Sequence, residues 1–396
     1  MNAEEHRSTK VFRDYLKIKS VQPEPDYGSI VKFLEEYAKT CEFPCRVHEA
    51  VPGFPIVIMT IEGSNPSLPS ILLNSHTDVV PVFPDQWKYD PFSATKDEEG
   101  NIYARGSQDM KCVGIQHLEA MRELTAEGVR LLRTVHISFV PDEEVGGKKG
   151  MKPWCQQEDF KSLNVGFAMD EGLANPGDEM RVFYSERTAR WASFVAHGNP
   201  GHGSGFIPDT AGYKVQKILG KLLEFRDQQE ARLKSDSKLT VGDVNTANIT
   251  SLKMRVQPNV VPDRLEVGFD IRVTPSEITQ VDEMLDSWCS ECDVSLEAFH
   301  KQNEMGITST DPEDKWWKAF TTALNNCNVA YTKEIFPAGT DSRYLRQLGL
   351  PALGFSPMNH TPILLHDHNE FLNERIFLDG IQTMRAVIES VANVEN

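Results

Sequence analysis

Ser70–Asp78 reads S-I-L-L-N-S-H-T-D. Its first half is a short apolar run of the length and composition of a buried strand, and it leaves that run on an imidazole, His76, and a carboxylate, Asp78. The same pattern recurs along the chain. Thr134–Val140 (T-V-H-I-S-F-V) runs into P-D-E-E-V-G-G with Glu143 and Glu144, and Val165–Met169 (V-G-F-A-M) runs into Asp170 and Glu171. Pro362–Leu365 (P-I-L-L) ends on His366, in H-D-H-N-E. Between these runs lie segments with helical spacing of apolar residues, Gly28–Cys41 and Cys112–Thr125, and another β-rich run, Pro55–Ile61. Strands alternating with helices predict an α/β fold: a mixed, mostly parallel sheet with helices on both faces. In such sheets ligands gather beyond the carboxyl ends of the strands, where these acidic and histidine clusters fall.

The texture changes near residue 185. A strand-like run, Arg190–Ala196, is followed by the turn-rich H-G-N-P-G-H-G-S-G and a long helical segment, Ala211–Lys234. Two strand-like runs (Ala247–Val256, Asp263–Val273), a helix near Ser276–Trp288 and a strand near Val294–His300 complete the order β-α-β-β-α-β. That is the order of a ferredoxin-like α+β layer. The expected organisation is a catalytic domain in two segments, 1–187 and 309–396, with an inserted domain at 188–308, its ends close together.

Length and charge narrow the function. At 396 residues the chain exceeds a single compact core. A net charge of −17 argues against a nucleic-acid partner, which needs a basic face. No run reaches the roughly 18 apolar residues of a membrane span, and the polar N-terminus has no apolar core of a secretory signal, so a cytoplasmic location is expected. Seven scattered cysteines fit reduced thiols. The lone C-x-x-C at Cys289 and Cys292 has no second pair at zinc-finger spacing.

The clusters carry residue types that hold catalytic metal. His76 can bind a metal while Asp78 orients its ring. Asp109, in R-G-S-Q-D-M-K, has two oxygens with which to bridge two cations, though an aspartate before a helix also suits an N-cap. Glu143 and Glu144 repel each other unless a cation is near; one can bind metal while the other serves as general base. Spacing leaves open whether Asp170 or Glu171, and whether His366 or His368, is the ligand. His202, in a glycine-rich turn, reads as a turn residue or as a donor to a substrate oxyanion. Asn259 and Arg272 read as surface residues or as substrate contacts, an arginine being suited to grip a carboxylate.

In this order, S-H-T-D-V-V-P-V, R-G-S-Q-D-M-K, P-D-E-E-V-G-G, M-D-E-G-L-A-N-P and L-L-H-D-H-N-E resemble the co-catalytic zinc family of aminoacylases, carboxypeptidase G, succinyl-diaminopimelate desuccinylase and carnosine-type dipeptidases. The likeness runs from about residue 8 to 390 and is nearest the aminoacylase branch. It implies two zinc ions per subunit bridged by Asp109, one completed by His76 and Glu171 and the other by Glu144 and His366. It also implies Asp78 supporting His76, and Glu143 as general base. His202 matches the glycine-flanked histidine of the family's dimerisation and lid domain, expected to enter the partner subunit's active site. Asn259 matches the N-V-V-P segment, and Arg272 would contact substrate. The implied activity is hydrolysis of N-acyl-L-amino acids to a carboxylate and a free amino acid by a homodimer. A dipeptidase or another amidohydrolase on the same scaffold is the alternative.

Overall fold

The computed structural model describes residues 5–253, 257–301 and 306–395. By its internal contacts the chain divides into two compact units. One comprises Met1–Tyr184, Ile307–Lys333 and Thr340–Asn396, the other Ser185–Gly306 and Glu334–Gly339.

The first unit is built on an eight-stranded sheet. Its strands lie in the order Cys45–Val51, Phe54–Ile61, Val135–Val140, Ser70–His76, Val165–Asp170, Ala352–Phe355, Met180–Glu186, Tyr331–Phe336. Ser70–His76 pairs in parallel with both of its neighbours, as does Ala352–Phe355 with Val165–Asp170. Antiparallel pairs flank this parallel centre, so the parallel character is concentrated where the chain crosses over through helices.

The period-two alternation of the strands divides two cores. Ile71, Leu73, Ile137 and Met169 face the helices Lys111–Ala126 and Glu374–Ala392, while Leu72, Val140 and Ala168 face Met151, Trp154 and Leu345 on the other side. Ser70–His76 is buried along its whole length, which is why its sequence reads as a continuous apolar run instead of an alternation. Truncating one such residue, Leu72 for example, costs about 2–5 kcal/mol through lost transfer energy and the cavity left behind.

The second unit is a four-stranded antiparallel sheet, ordered Thr246–Lys253, Arg264–Val273, Thr188–His197, Ser295–Lys301. Helices Ala211–Ser235 and Ile278–Cys292 bury Ile218, Leu222, Val281 and Leu285 against Phe194, Phe269 and Ile271. The chain order β-α-β-β-α-β is present; the end of the expected strand 247–256 lies outside the described residues. All seven cysteines are free thiols, and Cys289 and Cys292 sit in the last turn of a helix. Among the described residues, no helix is long and apolar enough to cross a membrane.

Candidate metal centre

Three segments leave the carboxyl ends of the parallel strands, a fourth precedes a helix with Asp109, and a fifth brings His366 from far along the chain. His76 is the last residue of its strand. Glu143–Val145 forms a single 3₁₀ turn just after Val135–Val140, closed by Gly146 at φ +99°, a left-handed conformation glycine adopts without Cβ strain. Glu171 follows the strand Val165–Asp170 directly. Asp109 precedes the helix Lys111–Ala126, and the residue at that helix's N-cap is Met110, which makes no side-chain cap bond. The Asp109 carboxylate is therefore not spent on capping.

It is spent on two histidines. Asp109 Oδ1 lies 2.9 Å from His76 Nε2, and Asp109 Oδ2 lies 3.1 Å from His366 Nε2. His76 Nε2 is 3.7 Å from Glu171 Oε2, and His366 Nε2 is 3.1 Å from Glu144 Oε2. Two arms result, each with one imidazole and one glutamate, joined at a shared aspartate. Ligand atoms of His76, Asp109 and Glu144, and of His76, Glu143 and Glu171, fall within 4.8 Å of one another.

The residues that spacing could not tell apart differ in their contacts. Both Asp170 oxygens are taken, by Asn74 Nδ2 (3.0 Å) and Ser342 Oγ (2.8 Å), which leaves Glu171 to face His76. His368 lies edge-on to the Phe83 ring, 6.1 Å between centroids, whereas His366 reaches Asp109 and Glu144.

Asp78 has more than one task. His76 Nδ1 is 2.9 Å from the Asp78 main-chain oxygen and 3.9 Å from its carboxylate. The carboxylate instead accepts from the backbone N–H groups of Glu143 and Glu144, both at 3.2 Å, and from Gln22 Nε2 at 2.7 Å. It thus pins the turn that carries the paired glutamates, which the H-x-D spacing could not reveal.

Sequence reasoning missed two neighbours of Glu143. Arg343 Nη2 lies 3.5 Å from Glu143 Oε1, and Asp341 is wholly buried nearby in sequence. The available signal was a charged D-S-R triplet following the strand-like run that ends at Phe336. It belongs to no acid-histidine cluster, so the pattern that found the others passed over it.

The electrostatics describe a site short of positive charge. Burial pushes Glu143 well above the ordinary carboxylate range. Burial, reinforced by the Asp109 charge, does the same to Glu171 and raises Glu144 to about 7. Burial opposes charge on Asp109 too, but hydrogen bonds from His366 and His76 hold it well below the usual range. His366 rises to about 10 through its bonds to Asp109 and Glu144. Burial works against a charged His76, yet Glu171 and Asp109 raise it well above an ordinary imidazole. Without metal, protons on the histidines occupy the directions in which lone pairs would meet cations. Among the described residues, the buried Glu144 Oε1 has no hydrogen-bond partner, which fits an oxygen placed to bind a metal. The donor set, imidazole nitrogens and carboxylate oxygens, suits a divalent transition metal.

In the second unit, His202 pairs with Val260 in a two-stranded ribbon, beside Asn259. It is exposed; its Nδ1 is 2.8 Å from Ser204 Oγ and its Nε2 3.4 Å from Asn259 Nδ2. Arg272 is already engaged: its Nε and Nη2 bond the Asp270 carboxylate at 2.8 and 3.0 Å, and its guanidinium lies over Trp191.

The model of peptidase family M20/M25/M40 matches residues 72–390, and the chain belongs to that family of metal-dependent hydrolases. Within it, the chain is 51% identical to aminoacylase-1 of Mus musculus over 393 residues, 98% of this chain and 96% of that protein. The fold matches an M20 family metallo-carboxypeptidase from Sulfolobus solfataricus (TM-score 0.74, 17% identity, 98% and 100% of the two chains). It also matches a dinuclear metal-binding M20 peptidase from Bacillus subtilis (TM-score 0.68, 16% identity, 97% and 98%).

Proposed function

We propose that this protein hydrolyses N-acyl-L-amino acids, releasing a carboxylate and a free L-amino acid, with two zinc ions bound per chain. The full-length likeness to aminoacylase-1 supports the substrate class. The observation that carries the chemistry is Asp109, whose two oxygens are directed at two different histidines. Asp109 would bridge the metals, with His76 and Glu171 completing one and Glu144 and His366 the other. Bound there, the ions supply Lewis acidity to the amide carbonyl and lower the pKa of the attacking water.

The protein's own groups do the rest. Glu143 takes a proton from the attacking water as the C–O bond forms, and returns it to the amide nitrogen as the C–N bond breaks. Burial favours its protonated form, which suits the second half of that exchange. Arg343 stabilises the carboxylate for the first half. Asp78 holds the turn on which Glu143 sits. His202 donates to the oxygen on which charge develops. In this reading it does so in the active site of a second copy of the chain, a homodimer in which the second unit serves for dimerisation and as a lid. Asn259, which bonds His202, orients that donor and contacts substrate. Arg272 would reach a substrate carboxylate only by leaving Asp270.

Amine release from N-acetyl-L-methionine, followed before and after chelation and after zinc return, tests this reading. Turnover that is lost on chelation and restored by zinc is expected. Zinc-loaded protein that leaves N-acyl amino acids intact while cleaving dipeptides would replace it with a dipeptidase.

A further inference from the structure

Asp109 and His366 stand 257 residues apart in sequence, yet their atoms must hold a fixed separation if both are to serve one metal pair. The structure joins their loops from both sides. The short strand Phe371–Asn373 pairs antiparallel with Asn101–Tyr103, Phe371 opposite Tyr103. The next pair out puts Glu370 beside Ala104, whose N–H donates to the Glu370 main-chain oxygen at 3.1 Å. The Glu370 side chain, wholly buried, then enters the loop that leads to Asp109. There it accepts from Arg105 Nη1 (2.6 Å), Gly106 N (3.2 Å), Ser107 Oγ (3.4 Å), Gln108 N (2.6 Å) and Asp109 N (3.3 Å). The bend this requires is why Gly106 sits at φ +88°.

The reverse arm is Gln108. Its Nε2 donates to Pro362 O (3.0 Å) and Phe371 O (2.8 Å), and its Oε1 accepts from Leu364 N (3.0 Å). The segment so gripped is bent: His366 and Asn369 both have left-handed backbones, φ +63° and +56°, which non-glycine residues hold only where the surroundings impose them. Gln108 spans the base of that bend, and Glu370 closes it.

We propose that Glu370 and Gln108 form a reciprocal latch that sets the separation of Asp109 and His366, making both positioning residues for the metal pair. The inference rests on the metal assignment made above. Neither residue touches metal or substrate. Each acts through a loop, as outer partners of metal ligands do, where substitution typically lowers metal affinity about 10–100-fold.

The test uses the full-length protein stripped of metal and titrated with Co²⁺, whose visible absorption reports ligation. The parent chain is expected to take up two ions. Glu370→Gln and Gln108→Ala should each weaken Co²⁺ uptake by about 10-fold or more. Turnover lost at trace zinc should return towards the parental value with excess zinc. General structural damage gives neither a selective loss of affinity nor rescue by the ion. Glu370→Gln leaves Arg105 without its buried counter-charge; should that variant not fold, Gln108→Ala, which leaves no buried charge unpaired, decides alone. Parental affinity in the folded variants overturns the latch. Failure of the parent chain itself to bind Co²⁺ overturns the metal assignment beneath it.

Discussion

The acidic cluster of the first unit and the histidine loop of the second are built on opposite principles. His76, Asp109, Glu143 and Glu171 are 1, 6, 8 and 4% exposed, and each is tied by groups from distant parts of the chain. His202 is exposed and held mainly by Ser204, two residues on, and by Asn259 across a two-residue ribbon. The first unit thus ties its constellation within a buried core, whereas the second holds its histidine at the surface through two local partners. A buried site needs every carboxylate balanced, because an unpaired buried charge is strongly unfavourable. An exposed donor has no such requirement until something closes over it.

The largest effect should come from the buried side of this comparison. Glu143→Gln is expected to retain zinc, measured by atomic absorption, while kcat falls by about 10²–10⁴, the usual range for loss of a general base. A variant that keeps half its activity would move the base elsewhere. The exposed side should follow: His202→Ala is expected to lower kcat by about 10²–10³. Mixing it with Glu143→Gln under conditions of shown subunit exchange should recover part of the activity, because one site of a hybrid dimer then has both groups. No recovery would mean that the loop serves its own chain.

Asp78→Asn probes the tie between strand end and turn. The asparagine can still accept one of the two N–H bonds, so a smaller loss is expected, about 10–100-fold in kcat. Folding stability and zinc content should stay near those of the parent. An equal fall in zinc content would make Asp78 chiefly a partner of His76.

The smallest effect concerns a buried histidine that the site does not use. His117 is fully buried in the helix Lys111–Ala126, neither ring nitrogen has a hydrogen-bond partner among the described residues, and burial lowers its pKa to about 3. Its folded pKa lies below the unfolded value of about 6.5, so the native state binds the proton less well. Stability is therefore lost as pH falls from about 6.5 towards 3. His117→Leu should raise the urea midpoint by the equivalent of about 1–3 kcal/mol, by removing unsatisfied polar atoms. It should also flatten the acid limb of stability against pH, and an unchanged limb would show that His117 keeps a partner.

Much of the first unit was legible because its strands are buried on both faces. Continuous apolar runs ending in acid or histidine mark strand and site together, so Ser70–His76 and the Glu143–Glu144 turn could be placed from sequence. The choice of Glu171 over Asp170 could not, since it depends on Asn74 and Ser342 occupying the other carboxylate. Arg343 escaped notice because its link to Glu143 crosses two hundred positions without a local pattern. The substrate role expected for Arg272 rests on residue type and on the family resemblance; the structure places its guanidinium on Asp270, a contact two residues away that neither reveals.

The sequence by itself determined the layered α/β architecture, the metal-binding chemistry and the family, because periodicity and residue type are local properties that survive without coordinates. The tertiary structure alone decided that both Asp170 oxygens are engaged, that two histidines, His76 and His366, face Asp109, and how the Asp109 loop is fastened to the segment carrying His366. Those depend on hydrogen bonds between residues hundreds of positions apart, and in a buried site the satisfaction of one group dictates the freedom of the next.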